Sequence, residues 1–432
     1  MKVLWFTNIP LPEGYRAIRR KAEVKGGWMS ALANALQETG QIDLAVASAV
    51  PGADWSKITK EGITHFCIPI DSYLSLGRFP SQKLIDYCIR VVQDFGPDLV
   101  HIHGTEYFYG VCTAEGYITC PTVISIQGLI HECYKHVYGR LDFKELITAH
   151  SVRDWLRWDG LFQQKVRWKK QALVENCIIA GNSYFIGRTL WDKAHIREIN
   201  PRAIYFHCDE LMRPPFYVTV RNPMTIRRHS IFTPTGCYPL KGLHFVLKAA
   251  SILKDQFRDI QVRVPDALIG KINSNEPLVS KLKMPGYSKY LRGLIKDLNL
   301  LESVVPLGRL AANEMARELS EAHIFIVPSL IENGCNSLNE AQLVGTPAVV
   351  SFSGGMQTII KDGVSALCFP PADYAVMAEC ARLLFEDDCL ASKIANSSRE
   401  MALLRHSKKT IVKNMLEIYS KVSNSPRCRL SE

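Results

Sequence analysis

The chain has 432 residues, enough for two or three domains at roughly 150 residues each. Apolar residues make up 47% and charged residues 22%, which excludes a disordered or fibrous chain, and no stretch approaches the roughly 20 consecutive apolar residues of a membrane span. The net charge of +10 is uneven, with 25 basic and 22 acidic residues up to position 220 and 27 and 20 beyond it; this excess suits an anionic small molecule, a membrane surface or nucleic acid alike.

At the N-terminus Lys2 is followed by Val3-Leu4-Trp5-Phe6, too short for a secretory core and the right length for a buried strand, so a cytoplasmic chain is expected. The thirteen cysteines, Cys67 to Cys428, include no C-x-x-C pair and read as reduced thiols, with no disulfide framework and no metal site. After the first strand, Val3–Asn8, a long loop carries Arg16, Arg19, Arg20, Lys21 and Lys25 to Gly26-Gly27 and a helix beginning near Trp28. Paired glycines before a helix let backbone N–H groups approach an anion, so Gly26 and Gly27 are candidates for nucleotide binding; a plain turn explains them equally well.

Further β-branched apolar runs follow at Ile42–Ser48, Asp98–His103, Thr122–Gln127 and Cys177–Ala180, alternating with helical stretches such as Trp28–Glu38 and Ser81–Phe95. Runs apolar on both faces belong to parallel sheets covered by helices. Residues 199–229, with Pro201, Pro214, Pro215 and Pro223, read as a connector. Alternation resumes with strands at Ser230–Thr235, Ile260–Val264, Val304–Leu307, Ile324–Val327 and Ala348–Ser351, and helices at 243–254, 287–298, 312–321 and 337–344. The expected class is α/β: two doubly wound Rossmann-like domains facing a central cleft, residues 1–215 and 216–400, with a helical tail over 401–432 crossing back to the N-terminal domain.

The most specific segment is Pro328-Ser329-Leu330-Ile331-Glu332-Asn333-Gly334-Cys335-Asn336-Ser337-Leu338-Asn339-Glu340-Ala341, which follows a predicted strand and opens a helix. Glu332 and Glu340 stand in an E-x7-E spacing. The segment resembles the signature of the family-4 glycosyltransferases, retaining enzymes of the GT-B fold that use activated sugar donors. Pro97-Asp98-Leu99-Val100-His101-Ile102-His103-Gly104, Lys241-Gly242, and Gly354-Gly355 followed by Ile360-Lys361-Asp362-Gly363 and Phe369-Pro370-Pro371 are similar to further motifs of that family.

The resemblance implies a transfer of sugar from a nucleotide-diphosphate donor to a hydroxyl of a glycan or lipid-linked saccharide, in surface polysaccharide or glycolipid synthesis. It needs no cofactor beyond the sugar nucleotide as substrate. Glu332 would contact hydroxyls of the transferred sugar, Glu340 the nucleotide ribose, and Gly334, Cys335, Asn336 and Ser337 the diphosphate, with Lys241 as the phosphate cation. On local pattern alone Glu340 also fits a capping box, with Ser337 as N-cap and Glu340 at N3. A retaining glycosidase would set two carboxylates across the scissile bond; here both lie on one loop–helix element, which suits binding and orientation.

Two positions depart from the family pattern. Gly236 stands where an arginine is common, with Arg309 a substitute, and Gln127 stands where a histidine is common, able to bond a hydroxyl but not to take a proton. His103 reads equally as an acceptor-side residue or a packed strand-end histidine. Two alternatives remain open: a GT-B sugar-nucleotide epimerase and a non-catalytic nucleotide-binding protein. Finally, Trp155–Lys170 mixes four aromatics with five basic residues, the composition of a helix lying on an anionic membrane at its inner face; packing on the N-terminal sheet is the competing reading. No nucleic-acid motif accompanies it.

Overall fold

The computed structural model describes residues 1–18, 27–234, 238–265 and 283–425, which divide into two compact α/β units. The first combines residues 1–131, 168–212 and the chain from His406; the second combines 132–167 and 213–405. The chain passes from one unit to the other at Met212–Arg213, three residues before the expected boundary. The excursion 132–167 was not anticipated.

The first unit is built on eight strands, β1 (Lys2–Thr7), β2 (Asp43–Pro51), β3 (Ser56–Lys60), β4 (Ile63–Ile70), β5 (Leu99–His103), β6 (Thr122–Ser125), β7 (Tyr184–Gly187) and β8 (Ile204–His207). Their order is β3-β4-β2-β1-β5-β6-β7-β8, and only β3 runs antiparallel to its neighbour. In β1, Val3 and Trp5 enter one buried cluster and Leu4 and Phe6 another, all at most 1% exposed, so helices must cover both faces. Helix Gln82–Phe95 supplies Ile85, Cys88 and Val91 to the Leu4–Phe6 face. Helices Gly27–Gln37 and Lys408–Ser423 cover the other through Leu32, Leu36, Met415 and Tyr419. The indole N–H of Trp5 donates to the Tyr419 hydroxyl at 3.0 Å, satisfying a polar group that burial would otherwise penalise.

The second unit holds six parallel strands, β9 (Arg227–Phe232), β10 (Gln261–Val264), β11 (Val304–Pro306), β12 (Ala322–Val327), β13 (Ala348–Ser351) and β14 (Leu367–Phe369), in the order β11-β10-β9-β12-β13-β14. β12 and β13 are buried at every residue, as a central parallel strand covered on both sides must be.

Three readings need correction. Cys177–Ala180 is not a strand but the end of helix Leu161–Gly181, and the strand is Tyr184–Gly187. A short apolar run is equally compatible with a buried helix turn, and periodicity does not separate them. The connector 199–229 contains a strand, Ile204–His207, at the sheet edge. The aromatic stretch 155–170 is two helices, Val152–Arg157 and Leu161–Gly181, separated where Trp158 takes a left-handed backbone at φ 54°. Among the described residues no helix is long and apolar enough to cross a membrane.

Candidate functional site

Strand order reverses between β9 and β12 in the second unit and between β1 and β5 in the first. Open parallel sheets bind ligands outside the carboxyl ends of their strands at such reversals. The candidate residues fall at both.

In the second unit, β12 leads into Pro328–Cys335 and the helix Asn336–Val344, while β9 leads toward Lys241 and the helix Leu243–Lys254. The two loops interlock. Leu330 donates its backbone N–H to the Leu240 carbonyl at 3.0 Å, and Gly242, at φ 74°, lies where a Cβ would come within 2.4 Å of the Pro328 carbonyl oxygen. A third loop backs them. Gly355 donates to the Glu332 carbonyl at 2.8 Å, and a Cβ on Gly354, at φ 53°, would meet that same oxygen at 2.2 Å. Only glycine allows either approach at these left-handed angles.

This interlock brings Lys241 to Glu332, with the ammonium 2.5 Å from Oε1. Burial, the largest single influence, would depress the lysine, but the Glu332 carboxylate beside it, with help from Cys335 and Tyr238, outweighs it and holds its pKa above the ordinary value. Cys335 is buried, its thiol pushed up to about 11 chiefly by burial, and its Sγ lies 3.2 Å from the Ser337 hydroxyl. It is therefore a neutral wall of the site at physiological pH.

The capping-box reading of Glu340 does not hold. Helix Asn336–Val344 has Cys335 as its N-cap, whose side chain makes no cap bond, so Glu340 lies deeper than N3. Its carboxylate instead receives Arg213, Nε at 3.0 Å and Nη2 at 2.7 Å, both on Oε1. Burial raises the Glu340 pKa and Arg213 opposes the rise. Oε2 is left outside this ion pair. The first turn of the helix points its dipole toward the loops, which favours an anion there.

At the reversal in the first unit, His103 ends β5. Its ring packs against Trp5 at 4.4 Å and Trp28 at 5.5 Å, and neither ring nitrogen has a hydrogen-bond partner among the described residues. Burial brings its pKa down to about 3, so the ring is neutral. It lines a half-open pocket together with Trp28, Ser125, Gln127, Arg188 and Glu210. Gln127 donates to Glu210 Oε1 at 3.0 Å, and Arg188 pairs with Glu210 at 2.6 Å. His131, four residues on, lies with Nδ1 2.7 Å from the buried Glu175. Glu106, just past β5, has a pKa raised to about 8, by burial first and by Glu175 second.

The remaining candidates are dispersed. Gly27 opens its helix, whereas Gly26, Arg19, Arg20, Lys21, Lys25 and Gly236 lie outside the described residues. Arg16 is taken up by Glu13 at 2.5 Å. Arg309 is exposed and follows β11, which is separated from β9 by β10. Arg213, Arg188, Glu210, Glu175 and Glu106 were not singled out from sequence. Only Glu106, two residues beyond the His103-Gly104 strand end, carried a local signal.

Residues 235–401, within the second unit, match the model of the family described as glycosyl transferases group 1. Among curated relatives, the D-inositol 3-phosphate glycosyltransferase of Corynebacterium urealyticum is 28% identical over 187 residues, 43% of this chain and 42% of that one. The chain thus spans less than half the length of that relative. The 2-deoxystreptamine N-acetyl-D-glucosaminyltransferase of Niallia circulans is 27% identical over 328 residues, 75% of this chain and 76% of that one. Among solved structures, a sucrose-phosphate synthase of Thermosynechococcus elongatus aligns over 98% of this chain and 99% of its own, at TM-score 0.71 and 15% identity. Anabaena HepE, solved with UDP and glucose, covers 97% of this chain and 99% of its own, at TM-score 0.66 and 16% identity. The fold class is GT-B, with two Rossmann-like units, and the chain resembles GT-B glycosyltransferases.

Proposed function

We propose that this protein is a retaining glycosyltransferase that moves a sugar from a nucleotide-diphosphate donor to a hydroxyl of a glycan or lipid-linked saccharide. The observation that carries the reading is the cluster at the β9–β12 reversal: Lys241, Glu332, the start of helix Asn336–Val344 and Glu340 on one interlocked set of loops. The family match over the same unit and the two partial relatives support it.

In this reading the donor diphosphate lies over the first turn of helix Asn336–Val344, at Asn336 and Ser337, with Gly334 and Cys335 shaping the approach. Lys241 leaves Glu332 for the phosphates and stabilises the charge that develops on the departing nucleotide. Glu332, released from its pair, accepts from hydroxyls of the transferred sugar, and Oε2 of Glu340 accepts from the ribose while Arg213 fixes the carboxylate on the other side. Both carboxylates bind and orient; neither is required as a nucleophile. The N-terminal unit, through the pocket of His103 and Gln127, takes the acceptor. The transfer belongs to surface polysaccharide or glycolipid synthesis, on the cytoplasmic side. Lys241 supplies the leaving-group charge, so the protein brings no cofactor of its own to the reaction.

Incubation with a panel of UDP, GDP and ADP sugars tests this directly. Slow hydrolysis of one donor with release of nucleotide diphosphate, or its transfer to an added acceptor, is expected. An isomeric sugar nucleotide as product, or tight nucleotide binding with no turnover of any donor, would sink the reading.

A further inference from the structure

The excursion 132–167 has an inner and an outer side with different chemistry. Inward, Glu145 accepts from Lys248 at 3.1 Å and from the Tyr290 hydroxyl at 2.7 Å, and the buried Asp154 accepts from the Gly286 backbone at 2.8 Å. These bonds pin helices Phe143–Thr148 and Val152–Arg157 onto the second unit. Outward, three successive helices each expose an apolar i, i+4 pair: Phe143 with Ile147, Val152 with Leu156, Phe162 with Val166. Trp155 and Trp158 stand between them, 59% and 66% exposed, and Leu156 is 83% exposed. His150 joins the stretch, its ring 6.1 Å from Trp155 and stacked on Phe162 at 4.6 Å.

Isolated exposed apolar residues are ordinary on a protein surface, but this is a cluster. Eight of the 28 large apolar side chains exposed among the described residues fall within 24 consecutive positions. The charges on the same stretch are one-sided. Arg153 pairs with Asp154 and Asp159, and Glu145 is held by Lys248, which uses up the acids between Phe143 and Arg167. Lys144, Arg157, Lys165 and Arg167 have no ion-pair partner among the described residues.

We infer that this face, Phe143 to Arg167, docks the protein on an anionic phospholipid bilayer, with Trp155, Leu156 and Trp158 in the headgroup–acyl boundary and Lys144, Arg157, Lys165 and Arg167 at the lipid phosphates. Tryptophan at an apolar–polar boundary flanked by basic residues suits that interface. A second copy of the chain fits worse, because a two-fold contact would set the same uncompensated cations against each other. Nucleic acid fits worse too, since Val152, Leu156 and Ile147 have no task on a phosphate backbone.

The test is co-sedimentation of the full chain with vesicles of phosphatidylcholine alone and of phosphatidylcholine with about one third phosphatidylglycerol. Wild-type protein should sediment with the anionic vesicles, less with the neutral ones, and less as salt is added. The double variant Leu156→Asp, Trp158→Asp should lose about tenfold or more of that binding, and Lys144→Ala, Arg157→Ala should lose binding to anionic vesicles only, both with unchanged circular dichroism. The inference is overturned by no binding to anionic vesicles, by equal binding of the variants, or by a concentration-dependent dimer that Leu156→Asp abolishes. The readout needs no turnover, so it stands apart from the proposed transfer.

Discussion

Glu332→Gln should tighten the binding of nucleotide diphosphate while removing most of the transfer. The two effects follow from one contact, the Lys241–Glu332 pair at 2.5 Å, whose side chains are 27% and 15% exposed. At an effective dielectric near 20 the attraction of two unit charges at that separation is about 6–7 kcal/mol. Desolvation and side-chain ordering offset most of this and leave a net of roughly 1–2 kcal/mol. A phosphate arriving at Lys241 must displace the carboxylate and forgo that net energy. Glutamine keeps the shape without the charge, so the affinity for a free nucleoside diphosphate should rise about 5- to 30-fold. The transferred sugar, however, loses an ionised acceptor, and turnover should fall by about a hundredfold or more. Isothermal titration with nucleoside diphosphates and a donor-turnover assay on the same preparation give both numbers. Unchanged or weaker nucleotide binding would refute the idea that Lys241 is the phosphate cation held in reserve by Glu332. Near-normal turnover would refute the assigned role of Glu332.

Three further outcomes are expected. Gly354→Ala places a Cβ 2.2 Å from the Glu332 carbonyl at φ 53°, so the loop must move by about 1 Å; turnover should drop roughly a hundredfold and stability by about 2–3 kcal/mol, and a variant with normal melting and kinetics counts against the interlock. Glu340→Ala leaves the half-buried Arg213 without its carboxylate and should cost about 1–3 kcal/mol in denaturant unfolding together with nucleotide affinity; a loss of stability with unchanged nucleotide binding limits Glu340 to a structural partner of Arg213. Burial holds the His103 and His323 pKa values at about 3 and that of His244 at about 4, below the ordinary value of about 6.5. Between pH 6.5 and 4 the unfolded chain therefore takes up protons that the folded one refuses, and stability falls as pH falls, by about 2 kcal/mol for each imidazole at pH 5. A melting temperature unchanged between pH 7 and pH 5 would contradict this.

The cluster proposed as the donor side was legible because its residues are written contiguously. Glu332 to Glu340 occupy one loop and one helix start after a strand that is apolar throughout, and Lys241 precedes a helix whose length the apolar pattern also predicts. What was not legible is what long-range folding brings in. Arg213 stands 127 residues before Glu340, inside a stretch read as a proline-rich connector, and nothing local marks it as that carboxylate's partner. The same holds for Arg188 and Glu210, which meet beneath Gln127 from the ends of different strands. The excursion 132–167 was hidden for a related reason: its docking rests on single bonds to distant residues, Lys248, Gly286 and Tyr290, which leave no periodic trace.

These pairings also decide how substitutions around the site should sort. Glu332 and Lys241 make their mutual contact through side chains, so changing them leaves the backbone of the three loops in place and alters chemistry first. Gly242 and Gly354 act the other way, since each is a point where one loop presses on another's carbonyl oxygen, at Pro328 and at Glu332. A substitution there moves the site as a body, so function and stability fall together. Gln127 belongs to neither class. Its amide is already engaged by Glu210, and Arg188 on the same carboxylate fixes the pair, so an incoming hydroxyl must exchange with an existing bond. Under the proposed function, the first unit would select by what it already binds, and the second by an ion pair that must open.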